Sequence, residues 1–171
     1  MTQNNQPIGV DASGFEMLTN AVRDLLQRYP GLGRREILFE TLDESGGLIF
    51  SADSGALVMS ERRSITDHIT QECQYPFLVV YRTPASTERE KLNVQAFLEN
   101  LGKWICKEPV NLNGEDIRLS AYPDLTDGRK ITRVTRTNSY GTAPNENKTQ
   151  DWILPVTVQY TYEFDLGTDT W

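Results

Sequence analysis

His68 is the only histidine among the 171 residues, so a Ser-His-Asp or Cys-His arrangement, or a histidine-bearing zinc site, has to be built around that one side chain. Cys73 follows it five positions later with no second pair of ligands nearby, which reads as a polar strand position and not as a metal site. The segment Gly31-Leu32-Gly33-Arg34-Arg35 has the glycines and cations of a phosphate loop. It follows a helix instead of opening one, however, so the N-terminal amides that attract an anion are missing, and a helix C-cap accounts for both glycines. The acidic pairs Asp43 with Glu44 and Glu115 with Asp116 sit in turn-like contexts and read as solvated charge instead of a general acid and base. The chain contains no Walker lysine motif, dinucleotide fingerprint, nucleophile elbow or metalloprotease helix. We therefore expect no catalytic residue, no cofactor and no metal.

The unusual segment is RKITRVTR, Arg129 to Arg136, with four cations and no acid in eight residues of a chain whose net charge is −7. In regular extended form it places Arg129 and Arg133 on one side and Lys130 and Arg136 on the other, so neither face is apolar and neither can be buried without pairing charge. Two readings fit: a solvated edge strand that uses charge against aggregation, or a basic arm, continued by the loop from Asn138 to Gln150, that docks on an acidic partner or a neighbouring copy. Thr157, Gln159, Thr161 and Glu163, the outward positions of the last strand, form a second candidate contact face. Trp171, after the polar run GTDT, is a third, as an exposed aromatic anchor.

These residues have to be held by a framework whose periodicities are clear. Ser13 with Glu16 and Thr87 with Glu90 have capping-box spacing. Behind the first lies an apolar stripe of Phe15, Leu18, Val22, Leu25, Leu26 and Tyr29, ended by Pro30-Gly31. Behind the second lies another, of Val94, Phe97, Leu98, Leu101, Trp104 and Ile105, with Gly102 as a point of close packing. ILFETL and LIFS, separated by a glycine-bearing turn, predict a hairpin. QYPFLVVYRT predicts a central strand with Pro76 at its beginning or at a bulge. IRLSAY predicts a strand, Asp127-Gly128 a turn, and Trp152 to Phe164 alternate with polar neighbours as a half-buried antiparallel strand.

The fold expected is α+β: a mixed, mainly antiparallel sheet packed by two main helices, in a single domain over residues 13–166, with a flexible N-terminal arm over 1–12 and a C-terminal tail over 167–171. With 17 basic against 24 acidic side chains, nonspecific coating of nucleic acid or anionic lipid by the whole surface is disfavoured. The longest aliphatic and aromatic run, Phe77 to Tyr81, is far below the roughly twenty residues needed to cross a bilayer. The first twelve residues do not read as a secretory signal, so we expect a cytoplasmic site of synthesis and two reduced thiols at Cys73 and Cys106.

The order of QYPFLVVYR (Gln74 to Arg82), EREKLNVQAFLENLGKWI (Glu88 to Ile105), a basic strand and a closing VTVQYTYEF (Val156 to Phe164) resembles the tail-terminator, or minor capsid, proteins of long-tailed bacteriophages of Gram-positive hosts. The likeness covers roughly residues 67–164. It implies an α+β structural protein of the virion that forms a ring, usually a hexamer, at the head-proximal end of the tail tube. Such a ring stops tube polymerisation and joins tail to head. The partners implied are further copies of the chain, the tail tube protein and the head-tail connector, with DNA passing through the lumen without sequence-specific binding and no membrane involved. Arg129, Lys130, Arg133 and Arg136 are then the arm toward tube or neighbour. A head-completion adaptor, commonly of twelve copies against the portal, is the related alternative; a small enzyme or ligand-binding domain with a pocket around His68 is the unrelated one.

Overall fold

The computed structural model describes residues 6–40, 42, 46–84 and 87–167. In chain order the elements are β1 (Gly9–Val10), α1 (Gly14–Gln27), a 3-10 turn (Pro30–Leu32), β2 (Ile37–Phe39), β3 (Gly47–Ala52), β4 (Leu57–Arg63), β5 (His68–Pro84), α2 (Glu88–Ile105), β6 (Val110–Leu112), β7 (Glu115–Ile117), β8 (Arg129–Arg136), β9 (Tyr140–Gly141) and β10 (Thr149–Asp165). Two helices pack on one face of an eight-stranded, mainly antiparallel sheet, giving a compact α+β domain.

The two 17-residue strands β5 and β10 pair along their whole length, from Thr149 opposite Pro84 to Asp165 opposite His68. Period-two alternation turns Cys73, Tyr75, Phe77 and Val79 of β5, and Trp152, Leu154, Val156, Val158 and Tyr160 of β10, into the core. Against them lie the stripes of both helices, with Leu18, Val22, Leu25 and Leu26 of α1 and Val94, Leu98, Leu101, Trp104 and Ile105 of α2 all buried. The expected stripes are therefore the observed ones. Gly102 lets Arg136 lie across α2, because a Cβ there would come within 2.6 Å of Arg136 Cδ.

Both long strands carry a proline at mid-length, and Pro76 is neither at a strand beginning nor at a bulge as expected. Its carbonyl accepts from Asp53 N–H at 3.0 Å, so its nitrogen also faces the gap where β4 (Leu57 opposite Gln74) gives way to β3 (Ala52 opposite Phe77). Pro155 repeats the device on β10. Its carbonyl accepts from Thr137 N–H at 3.2 Å, where β8 ends and before β9 begins. A missing donor costs nothing at a changeover with no ladder partner to bond.

Four other expectations are corrected. The predicted hairpin of ILFETL with LIFS is a parallel pair, Ile37 opposite Leu48 and Phe39 opposite Phe50. Positive φ at Glu40 (55°) and at Gly46 and Gly47 (149° and 147°) is spent on carrying the chain back to start β3 beside β2, not on a tight reversal. Ser13 makes no side-chain cap; Asp11 takes its place and accepts from Gly14 N–H at 3.1 Å, whereas the Thr87–Glu90 box of α2 forms as read. IRLSAY is not a strand beyond Ile117, since Glu115–Ile117 turns back on Val110–Leu112 in a separate small hairpin. Residues 9–12 are not a free arm either, because Gly9 and Val10 pair with Val58 and Leu57, and Asp11 is buried.

The turn at Asp127-Gly128 is as read, with φ of 55° and 77°, and the Gly128 carbonyl accepts from Glu163 N–H at 2.9 Å. A Cβ on Gly128 would sit inside the Glu163 carbonyl oxygen, whereas Gly114, also at positive φ (86°), has open space around it. Gly128→Ala is thus expected to lose about 2–3 kcal/mol of stability and Gly114→Ala about 1 kcal/mol. Urea unfolding of both variants measures this; equal losses would show that backbone conformation alone, not the β10 carbonyl, sets the requirement.

Candidate assembly surface

Strand β8 does not keep regular alternation. Its register against β10 jumps, with Gln159 opposite Arg133 and Tyr160 opposite Ile131, so Thr132 is an inserted residue, and its hydroxyl donates to the Gln159 carbonyl at 3.1 Å. The bulge brings Ile131 and Val134 both into the core and leaves Lys130, Thr132 and Arg133 exposed. Arg129 and Arg136 are consequently both on the helix side. The expected pairing of Arg129 with Arg133 and of Lys130 with Arg136 on shared faces is overturned by one extra residue.

Arg129 is buried. Its Nε donates to Asp11 Oδ2 at 2.9 Å, and its Nη2 donates to Asp11 Oδ1 at 2.7 Å and to Ser13 Oγ at 2.9 Å. Its guanidinium carbon lies 3.8 Å from the Tyr162 ring centroid, a stacking that suits a planar cation. Asp11 also accepts from the Tyr160 hydroxyl at 2.7 Å. Burial alone would raise the Asp11 pKa, but the bonds from Arg129 and Tyr160, the Arg129 charge and the Gly14 amide outweigh it and hold the carboxyl below its usual value. The bond to Asp11 in turn raises the Arg129 pKa against the opposing effect of burial. Burial, then the bond to Asp11, pushes the Tyr160 hydroxyl well up; burial pushes the neighbouring Cys73 thiol up to about 11. This cluster ties the start of the chain and of α1 to β8 and β10.

Arg136 is likewise spent within the chain. Nη1 meets Glu99 Oε2 at 3.1 Å and Nη2 meets Glu108 Oε2 at 3.4 Å. Glu99 Oε1 accepts from Ser139 N–H at 3.0 Å and Ser139 Oγ at 2.9 Å. Burial would raise the Glu99 pKa, but the two Ser139 bonds and Arg136 more than offset it and lower it.

The remaining candidates converge on the sheet face away from the helices. Cross-strand register places Gln159 between Arg133 and Gln74, Thr161 between Lys130 and Glu72, and Thr157 between Thr135 and Pro76, with Glu163 opposite Thr70. By register six of the nine residues singled out in the sequence (Lys130, Arg133, Thr157, Gln159, Thr161 and Glu163) fall together; of these Gln159 and Thr161 line a depression of about 410 Å³ with Met59, Glu72 and Thr132, whereas Lys130 and Arg133, on the edge strand, line hollows shared with Lys107 and Tyr122. Arg129 and Arg136 are not part of this group. His68 lies at the same end of the sheet, its Nδ1 2.7 Å from Asp165 Oδ1, as a half-buried strand residue. Trp171 and the pair Asp43 and Glu44 lie outside the described residues.

Sequence reading missed the other half of this face. There Tyr140, Ile153, Val80, Ile49 and Leu38 line up across β9, β10, β5, β3 and β2 as one apolar row. Leu38, Ile49, Val80 and Ile153 each sit in a run of consecutive apolar residues, which marks a strand apolar on both faces, but that they share one row, with Ile49 in it buried and Leu38 and Tyr140 exposed, is visible only once the register is known. Comparison of the chain with protein-family models and with curated proteins finds no match.

Removing one member of a buried ion pair strands the other, so Asp11→Ala is expected to cost about 3–5 kcal/mol, and Asp11→Ala combined with Arg129→Met less than the sum of the two single losses. The pH dependence follows from the lowered Asp11 pKa. Its contribution is fully present above the unfolded value, about 3.9, and is lost as pH falls through the folded value. Denaturant unfolding from pH 6 to pH 2 should therefore show an acid limb that Asp11→Asn flattens; an unchanged limb in Asp11→Asn would assign the acid sensitivity elsewhere.

Proposed function

We propose that this chain is a structural protein of a long-tailed phage that acts by self-assembly, forming a ring at the head-proximal end of the tail tube. The ring ends tube polymerisation and presents a surface to the head connector, and no reaction is catalysed. The observation that carries this reading is the sheet face that the helices leave uncovered, on which Lys130 and Arg133 stand free of the internal pairs that absorb Arg129 and Arg136. An α+β domain with helices on one side of a mainly antiparallel sheet is also the architecture that the resemblance to tail terminators implies.

The chemistry of the patch suits reversible docking. Threonine and glutamine side chains supply adaptable hydrogen bonds, and Lys130 and Arg133 steer toward an acidic partner surface while remaining solvated in the free chain. A ring of identical head-to-tail contacts buries surface only on assembly, which lets the monomer stay dissolved until a tube end templates it. The net charge of −7 favours passage of DNA through the lumen over sticking.

Imaging purified tail tubes mixed with the protein tests this, with rings on one tube end expected and native mass spectrometry giving six copies; twelve copies without tube binding would favour the head-completion adaptor. Lys130→Glu with Arg133→Glu is expected to weaken capping at least about tenfold with stability nearly unchanged. Arg136→Glu, which sets three acids together, is expected to lower the melting temperature instead. Capping unaffected by the double reversal would remove the patch from the tube or neighbour contact.

A further inference from the structure

Strand β8 is a border of the sheet: β10 pairs with one side of it, and among the described residues no strand pairs with the other. Thr137 N–H bonds to the Pro155 carbonyl and Glu163 N–H to the Gly128 carbonyl. By alternation Ile131, Val134 and Arg136 therefore turn their amides and carbonyls away from β10. None of the three meets another main-chain group on that side among the described residues. The Val134 amide reaches only the Tyr122 hydroxyl, which itself donates to the Ile105 carbonyl at 3.0 Å. Where a further strand would run there are two hollows, of about 640 and 750 Å³, with Lys107, Tyr122 and Thr132 common to both. Val134 borders the first and Ile131 the second, although both side chains are in the core.

The hollows carry an excess of positive charge. Lys107 and Arg133 border one, Lys107 and Lys130 the other, and none of these cations makes an ion pair among the described residues. Of the two acids present, Glu108 is held by Arg136, and Asp124 alone is unpaired. Main-chain groups left open along a strand call for another extended chain, whose own amides and carbonyls alternate at the same spacing. The cations select for acid in that chain, and they turn away an uncharged or basic edge. The other open edges of this chain do not qualify. Strands β1 and β9 carry no charge, β2 is Ile37-Leu38-Phe39, and the free end of β4 reads Glu61-Arg62-Arg63. The occupant that fits is a different protein.

We propose that the outer edge of β8 takes an acidic, extended segment of a partner protein as an added strand. Its carboxylates meet Lys107, Lys130 and Arg133, and its main chain pairs with Ile131, Val134 and Arg136. This rests on the reading of Lys130 and Arg133 as docking residues and gives the form of what they dock. In the free chain the Tyr122 hydroxyl and the cations shield the edge from further copies; the partner strand takes the Val134 amide over from Tyr122 and neutralises the cations.

The test uses the full chain with an acetylated octapeptide of alternating threonine and glutamate, and with the same peptide carrying lysine for glutamate. With the acidic peptide at about ten times its Kd, amide exchange followed by NMR is expected to slow about tenfold at Ile131, Val134 and Arg136. Exchange at Thr135, whose amide faces β10, should not change. Lys130→Glu with Arg133→Glu, its fold confirmed by melting temperature, should weaken binding at least about tenfold, and the lysine peptide should not bind. No binding, equal binding of both peptides, or binding that leaves the three amides unprotected would overturn the added strand. Self-association that protects the same amides without peptide would also overturn it, since a second copy would then hold the edge. Tube capping separates this contact from the ring reading. Capping that persists where the peptide fails leaves the ring standing without the strand. Protection of the three amides in a chain that never caps tubes upholds the strand and removes the ring.

Discussion

A 17-residue strand paired along its full length with another needs its outer edge covered as well, and among the described residues no other strand is long enough to do that alone. Each long strand therefore has two short outer neighbours in succession, β4 then β3 beside β5, and β8 then β9 beside β10. Where one neighbour stops and the next starts, a backbone position faces a gap, and an amide donor there would be stranded. Pro76 and Pro155 occupy those positions and present no donor. The two prolines mark the places where the sheet changes partners. Everything else is arranged on this central pair: the helices on one side, the open face on the other, and the patch and the row along its length.

The buried Asp11–Arg129 pair serves a different purpose from the apolar core. Its gain over two well-packed apolar side chains is small at best, because each charge must be taken out of water. What it adds is an address. Only one arrangement brings the chain start, the first turn of α1, the Gly128 turn and Tyr160 to the same carboxylate, and any slip of β8 along β10 would leave an unpaired charge inside. The same logic governs Arg136 between Glu99 and Glu108. The bulge at Thr132 makes both possible, since without it one of the two arginines would face away from its acids.

What could be read from the sequence was whatever repeats. The stripes of α1 and α2, the Thr87–Glu90 box and the alternation from Trp152 to Phe164 each rest on several residues agreeing on one period, and the structure keeps them. What could not be read depended on a single residue or on a distant partner. Ser13 has the right spacing for a cap but loses to Asp11, which is held in place by an arginine 118 positions away. One inserted residue in β8 changes which cations are free. The parallel pairing of β2 with β3 contradicts a turn signal that was locally sound, because glycines at positive φ serve equally to reverse a chain or to carry it back.

The apolar row illustrates the same limit from the side of function. Along β10 the outward positions run Ile153, Pro155, Thr157, Gln159, Thr161 and Glu163, apolar at one end and polar at the other, and each half viewed alone is unremarkable for an exposed strand. Pairing multiplies the difference: Ile153 gains Val80, Ile49, Leu38 and Tyr140 beside it, while Thr161 gains Lys130 and Glu72. The open face is therefore divided into a surface that water solvates well and one that it solvates poorly. Within the poorly solvated half the exposure is uneven, since Ile49 is buried while Leu38 and Tyr140 at the two ends of the row stay in contact with water, a distinction that depends on neighbours in three dimensions and that no single strand carries in its own residues.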